Sequence, residues 1–286
     1  MKKKFFKQIL ILCLFLLSTS NLFAGGNKES QNNNSNQLRI GVSPGPYGDM
    51  VNQAIKPYLQ KLGYDVTVVS FSDWVQPDMA LNNGEIEANL MQHTIYLEAF
   101  SKANKLDLGK VIAIPTAGAG VFSNKYTELS QLKEGDQIAI ASDVTNLARS
   151  LKLLSLNNII TLKDNIDPTK ASLLDIKDNP KNLKFVTLDG AQISRSLDSV
   201  AIAIVPGNYA IAAKLDYTKA LAIERLDEGY KNVMAVRTSD INSKLGQDLK
   251  EAIESEDFYN AITKTGSIFN SFDRPQWWIE KYGRDN

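Results

Sequence analysis

Leu38-Arg39-Ile40-Gly41-Val42-Ser43-Pro44-Gly45-Pro46 leads into Asp49 to Leu62, stops at Gly63, and resumes as Tyr64-Asp65-Val66-Thr67-Val68-Val69-Ser70-Phe71. The first five residues form a short apolar strand pattern closed by Pro and Gly. Between Asp49 and Leu62 the apolar residues Met50, Val51, Ala54, Ile55, Tyr58, Leu59 and Leu62 recur at helical spacing. Gly63 stands where a helix C′ residue belongs. The Val-rich run after it is a second strand. A strand, a helix and a strand in this order predict a parallel pair with its crossover helix on one face.

Outward from that unit the alternation continues. A short helical piece closes at Ala80-Leu81, with a turn at Asn82-Asn83-Gly84. A strand is expected over Ile86–Leu90, a helix over Tyr96–Ala103, and a strand over Val111–Pro115. A second series follows. Strands are expected at Gln137–Ala141, Asn182–Thr187 and Val200–Val205, and helices from Asp143 to about Leu156, at Ala191–Leu197 and at Tyr209–Ala213. Val233–Val236 is a late strand, followed by helices at about Ser243–Glu254 and at Glu256–Lys264. Two α/β units joined near Pro115–Gly120 predict a clam-like binder. One lobe comprises about 38–118 plus 226–286 and the other about 119–225. A ligand would sit in the cleft, near strand C-termini and helix N-termini.

The first residues address export. Lys2, Lys3, Lys4 and Lys7 precede an apolar run from Ile9 to Leu17, and Leu22-Phe23-Ala24-Gly25-Gly26 closes the segment. That order is a signal peptide over residues 1–24, cut after Ala24. The run is too short for a membrane span, which takes about 20 apolar residues. The one cysteine, Cys13, lies inside the run, so a soluble exported protein is favoured over a lipid-anchored one. The mature chain then has no thiol for disulfides, catalysis or zinc. With one histidine in the whole chain, no imidazole metal site is expected. Residues 25–37, rich in Asn, Ser and Gln, are expected to form a flexible tether. Losing the four leader lysines from a chain with 32 basic and 32 acidic residues leaves 28 against 32. A mildly acidic chain argues against a nucleic-acid partner.

Four segments place polar or aromatic groups just after strands. They are Phe71–Pro77, Ala88–Tyr96, Ser142–Arg149 and Pro206–Ala210. Arg149 lies in the first or second turn of a helix, where a cation opposes the helix dipole. It suits an anionic ligand, whose carboxylate its fork matches; alternatively it pairs with Asp143 or faces solvent. His93 either lines a pocket with Tyr96 or is a structural loop histidine. Trp74 and Met91 offer apolar and polarizable surface, to a ligand thioether or to the core. Asn208 either caps a helix or bonds a ligand's polar end. Glu85 and Glu87 are expected on one solvated strand face. No Gly-x-Ser-x-Gly elbow or phosphate loop is present, and Gly118-Ala119-Gly120 suits a hinge or a tight strand exit. No enzyme activity and no cofactor is expected.

At these segments the chain resembles the NlpA/MetQ family, the methionine-binding lipoproteins of ABC importers. The resemblance rests on Val42–Pro46, Ala80–Asn89, Gln92-His93-Thr94-Ile95-Tyr96-Leu97, Asp143–Arg149, Asn179–Phe185, Ala191-Gln192 and Gly207-Asn208-Tyr209-Ala210, in the family's order and across nearly all of the mature chain. It implies an α/β periplasmic-binding-protein fold, type II-like, with two parallel or mixed sheets joined by a hinge. It also implies that Arg149 holds a ligand carboxylate and Asn208 the ligand's polar backbone end. Asn146 lies in the same matched segment and counts among the ligand-binding candidates. His93 and Tyr96 would line the side-chain pocket, with Trp74 and Met91 as apolar walls. Where this chain has Trp74, Met91, Val144 and Ala148 the family usually has Tyr, Phe, Pro and Gly, and its lipobox Cys has no match here. The implied partners are a small amino acid, L-methionine first, and an ABC permease with its ATPase. Membrane association would come through the permease or a lipid anchor, with the protein in the periplasm or cell envelope. The alternative is a surface lipoprotein of this fold with another amino acid or short peptide as ligand, or with no transport role.

Overall fold

The computed structural model describes residues 36–283. The expected signal peptide, and all of the expected tether but Asn36 and Gln37, lie outside the described residues. Gln37 already opens the first strand.

Among the described residues twelve strands form three sheets. In chain order they are β1 (Gln37–Val42), β2 (Asp65–Ser70), β3 (Ala88–His93), β4 (Leu108–Ala113), β5 (Gly120–Phe122), β6 (Gln137–Ala141), β7 (Thr161–Leu162), β8 (Ile176–Asp178), β9 (Lys184–Leu188), β10 (Ile202–Val205), β11 (Ala222–Ile223) and β12 (Asn232–Arg237). The first sheet runs β2-β1-β3-β12-β4, the second β11-β5-β10-β6-β9, and β7-β8 is a separate ribbon. Both large sheets are mixed. The strand–helix–strand units pair in parallel, β1 with β2 and β3, and β6 with β9 and β10. Antiparallel strands complete each sheet: β12 lies between β3 and β4, and β5 pairs with β10 and β11. The α/β class of the sequence reading holds, and the sheets are mixed rather than purely parallel.

The chain passes between the two sheets twice, from β4 to β5 and from β11 to β12. Glu224 N donates to Ala119 O at 2.9 Å, which ties the two passages together. Each sheet has its own apolar cluster. Ile40, Leu90, Met234 and Trp278 belong to the first, and Ile138, Leu151 and Ile204 to the second. The Trp277-Trp278 segment lies in a helix, Gln276–Tyr282. Trp278 is fully buried in the first core, and Trp277 Nε1 donates to Ala113 O at 2.7 Å.

Three local readings change. The helix expected over Asp49–Leu62 is interrupted by a π turn at Val51–Ile55, between Tyr47–Met50 and Lys56–Lys61. Pro57 lacks an N–H and its ring crowds the carbonyl four residues back, so the ladder widens ahead of it. Glu85 and Glu87 precede β3 rather than sharing a strand face. Glu87 is not a free solvated acid, because Arg39 Nη2 pairs with its Oε1 at 2.6 Å. The strand expected over Ile86–Leu90 is Ala88–His93, which moves His93 from a loop to a strand end.

Candidate functional site

Arg149 stands on the helix Val144–Leu156, whose first turn is capped by Asp143, with Asn146 N donating to Asp143 Oδ1 at 3.0 Å. Its guanidinium does not pair with Asp143 and does not reach solvent. Nε donates to Glu224 Oε1 at 2.7 Å and to Oε2 at 2.9 Å, and Nη2 donates to Oε2 at 2.5 Å. Glu224 Oε2 also accepts from Ala119 N at 2.9 Å. Both side chains are 9 % exposed. Burial works against the guanidinium charge, but Glu224 outweighs it and holds the Arg149 pKa above its ordinary value. Glu224 thus occupies the Nε/Nη2 edge of the fork. The Nη1 side is held only by Asn146 Oδ1, at 3.3 Å. Glu224 had no signal in the sequence reading. It follows a two-residue edge strand, 75 residues from Arg149, and only the second passage between sheets brings it there.

His93 ends β3 and caps the helix Thr94–Asn104, with Tyr96 N donating to its Nδ1 at 3.0 Å. A ring nitrogen that accepts carries no proton, so the hydrogen sits on Nε2 and points at Asn146 Oδ1, 3.2 Å away. Burial first, then the nearby Arg149 charge, pushes the His93 pKa down to about 3, and the ring stays neutral. Asn146 Nδ2 in turn donates to both Asp143 oxygens at 3.2 Å. Asp143, Asn146, His93, Arg149 and Glu224 therefore form one continuous polar network.

Trp74 caps the helix Val75–Asn82 from outside, held by Asp73 Oδ1, which accepts from Val75 N and Gln76 N at 2.8 Å each. Its ring meets Tyr96 edge-on at 6.1 Å between centroids and lies at 5.1 Å from Tyr209. Met91 is buried, and the register between β3 and β12 skips it, pairing Met234 with Leu90 and Val233 with Gln92. Asn208 is the second residue of the helix Gly207–Ala212, inside it rather than capping it. Its Nδ2 reaches back to Pro44 O at 3.0 Å. Gly45 lets that loop approach: its φ is +128°, and a Cβ there would lie 2.6 Å from Asn208 O.

All seven candidates, Trp74, Met91, His93, Tyr96, Asn146, Arg149 and Asn208, line one pocket. The sequence reading missed Tyr47, Gln92, Thr116 and Asn232 in the same lining. Asn232 N donates to Thr116 Oγ1 at 2.8 Å, joining β12 to the first passage between the sheets. Chemically the pocket offers a cation with a free side, amide groups and aromatic faces, which suits a small zwitterion with an apolar tail.

Residues 38–277 match the family model described as NlpA lipoprotein. The D-methionine-binding lipoprotein MetQ of Salmonella typhi is 36 % identical over 241 residues, covering 82 % of this chain and 86 % of that one. Lipoprotein 28 of Escherichia coli O157:H7 is 34 % identical, covering 92 % and 95 %. Among solved structures, a nutrient binding protein from Burkholderia cenocepacia bound to methionine superimposes with a TM-score of 0.77 at 34 % identity, covering 83 % of this chain and 99 % of that one. A periplasmic substrate-binding protein of an ABC transporter from Coxiella burnetii does so with a TM-score of 0.74 at 38 % identity, covering 79 % and 96 %. With a family model spanning most of its length and relatives alike over four fifths of it, the chain belongs to the NlpA lipoprotein family.

Proposed function

We propose that the chain is the extracytoplasmic substrate-binding protein of an ABC importer, that its ligand is a free amino acid, and that this amino acid is methionine. The observation that carries the reading is the half-occupied fork of Arg149. Glu224 neutralises one edge, and on this pocket-lining residue the Nη1 side makes a single long bond, to Asn146. A ligand carboxylate completes it without leaving an uncompensated charge. Asn208 takes the ligand's polar backbone end. Trp74, Met91 and Tyr96 enclose a thioether, for which sulfur–aromatic contact is favourable, and neutral His93 closes the wall.

Two lobes, residues 38–118 with 226–286 and residues 119–225, close by a hinge at the two passages tied by Ala119 and Glu224. Export by the leader over 1–24 places the binder outside the cytoplasm, where it delivers its cargo to a membrane permease and its ATPase. Among the described residues no helix is long and apolar enough to cross a membrane. Membrane association then comes through the permease or a lipid anchor. The test is calorimetry on protein stripped of ligand by unfolding and refolding, titrated with L-methionine, D-methionine and a panel of other amino acids. Saturable one-to-one binding of methionine is expected. Preference for a different amino acid overturns the ligand assignment, and no binding of any amino acid overturns the receptor reading.

A further inference from the structure

Gln92 lines the pocket and is 4 % exposed, and its Oε1 is buried with no hydrogen-bond partner. Its other amide atom is committed. Nε2 donates to Asp78 Oδ1 at 2.5 Å and lies 3.3 Å from Asn89 Oδ1. Asn89 Nδ2 donates to the same Asp78 oxygen at 2.8 Å, and both Asp78 and Asn89 are fully buried. The skipped residue, Met91, accounts for this grouping. A bulge there restores the alternation so that Asn89 and Gln92 share one face of β3, toward the helix Val75–Asn82 that carries Asp78. Turning the Gln92 amide over would set its oxygen against two acceptor oxygens. The orientation is therefore fixed, and it leaves a buried carbonyl oxygen unpaired on a residue that lines the pocket.

We propose that Gln92 is a ligand-recognition residue, and that its Oε1, oriented by Asp78, accepts an N–H from the α-ammonium group of the bound amino acid. This rests on the amino-acid reading above. A zwitterion carries two charges into a cleft shielded from water. Arg149 answers the carboxylate, but the ammonium needs oxygen acceptors that are not already filled. A buried acceptor without a partner is costly in the empty protein, and a ligand donor removes that cost on binding. Asp78 does not touch the ligand and is a positioning residue. Its Oδ1 can accept from Gln92 whether or not Oδ2 carries a proton.

The test compares L-methionine with 4-(methylthio)butanoate, which is methionine without its amino group, by calorimetry on the full mature protein. The wild type is expected to prefer methionine strongly. In Gln92→Leu that preference shrinks by about tenfold or more, the usual weight of a charge-assisted hydrogen bond, while affinity for the deaminated analogue stays nearly unchanged. Asp78→Leu follows Gln92→Leu, whereas Asp78→Asn keeps an accepting oxygen and restores the preference. If Asp78→Leu does not fold, Gln92→Leu alone decides. Equal loss for both ligands in Gln92→Leu makes Gln92 structural and overturns the proposal, as does no change for either. If the wild type takes a different amino acid, that amino acid and its deaminated counterpart form the pair. The methionine assignment then fails in the wild type, while the ammonium contact stands or falls in the variants. A wild type that binds no amino acid overturns both.

Discussion

The two ends of the pocket are built differently. Around Arg149 the charged groups are already paired. Glu224 takes one edge of the guanidinium, and Asn146 bridges it to His93 and Asp143. Around Trp74 two buried polar atoms of lining residues have no partner: Trp74 Nε1 and Gln92 Oε1. The first end is assembled before any ligand arrives, and the ligand joins it from the side. The second end is incomplete, and the ligand or a water must complete it. Preorganisation at the charged end keeps a buried cation tolerable in the empty protein. Incompleteness at the other end gives discrimination, because a ligand lacking the right donor leaves the orphaned atoms as they were.

The largest effect is expected at the assembled end. Arg149→Ala removes one partner of a buried pair and strands the Glu224 carboxylate. For the ligand, losing the partner of its buried carboxylate costs about 3–5 kcal/mol, roughly two to four decades in affinity. Arg149→Lys keeps the charge but cannot serve Glu224 and a ligand carboxylate from two edges of one fork, so it should behave nearly like Ala. Calorimetry with methionine decides the matter. Binding by both variants within about threefold of wild type would show that Arg149 does not anchor the carboxylate.

Arg149 was legible in the sequence and Glu224 was not, and the reason is physical. Arg149 follows a strand and a cap motif, Asp143-Val144-Thr145-Asn146, so its place on a helix could be read from local spacing. Glu224 has no local pattern. Its role comes from the return of the chain between the sheets, a long-range event. The strand–helix periodicity likewise revealed the parallel units. It grouped the late strand with the first lobe but did not reveal its insertion between β3 and β4, nor the short antiparallel β5 and β11, because strands of two or three residues carry too little alternation to read. Gln92 was hidden for a related reason, since the bulge at Met91 shifts the face on which it lies.

A second variant sharpens the contrast. Glu224→Gln keeps one accepting oxygen and loses the charge, leaving Arg149 uncompensated in the empty protein. Unliganded stability should fall by about 3 kcal/mol, the low end of the cost of breaking a buried pair. A ligand carboxylate then supplies the missing charge, so methionine should raise the melting temperature of Glu224→Gln more than that of wild type. An equal ligand-induced rise in both proteins would mean that Glu224 does not set the charge balance of the pocket.

The two ends also titrate in opposite senses. His93 is held near 3, below its ordinary 6.5, first by burial and then by Arg149. The unfolded chain binds that proton first, so the stability His93 contributes is present above 6.5 and is lost as pH falls toward 3. Asp78 is raised from 3.8 to about 7, chiefly by burial. The unfolded chain releases that proton first, so the stability Asp78 contributes is present below 3.8 and is lost as pH rises toward 7. Between about pH 4 and 6.5 the two slopes oppose each other, each limited to about 1.4 kcal/mol per pH unit for one proton. Urea unfolding across that range should show Asp78→Asn gaining on wild type as pH rises and His93→Gln gaining as pH falls. Stability curves that stay parallel to wild type would place the proton uptake elsewhere.

The smallest effect concerns closure rather than charge. Trp74, from the first-sheet side, lies directly over Gly190, which opens a short helix beside the second sheet. A Cβ at Gly190 would stand 2.5 Å from Trp74 Cη2 and 2.8 Å from its Cζ3. Both atoms belong to the far edge of the indole, so the ring can retreat, but only by leaving its packing on Tyr209 and Tyr96. Gly190 has no positive φ, so alanine there introduces crowding and no backbone strain. The crowding against Trp74 acts where the two sides meet, while a milder one within the second side, 3.0 Å from Tyr209 Cε2, asks for a shift of a few tenths of an ångström. Overpacking of this size costs about 1–3 kcal/mol when nothing yields. Because the ring yields in part, the low end applies, or about fivefold to tenfold in affinity. Gly190→Ala should therefore bind methionine that much more weakly while its unliganded melting temperature stays close to wild type. A drop in unliganded stability as large as the loss in binding would instead make Gly190 a packing requirement of the second lobe, and the contact with Trp74 would carry no weight in closure.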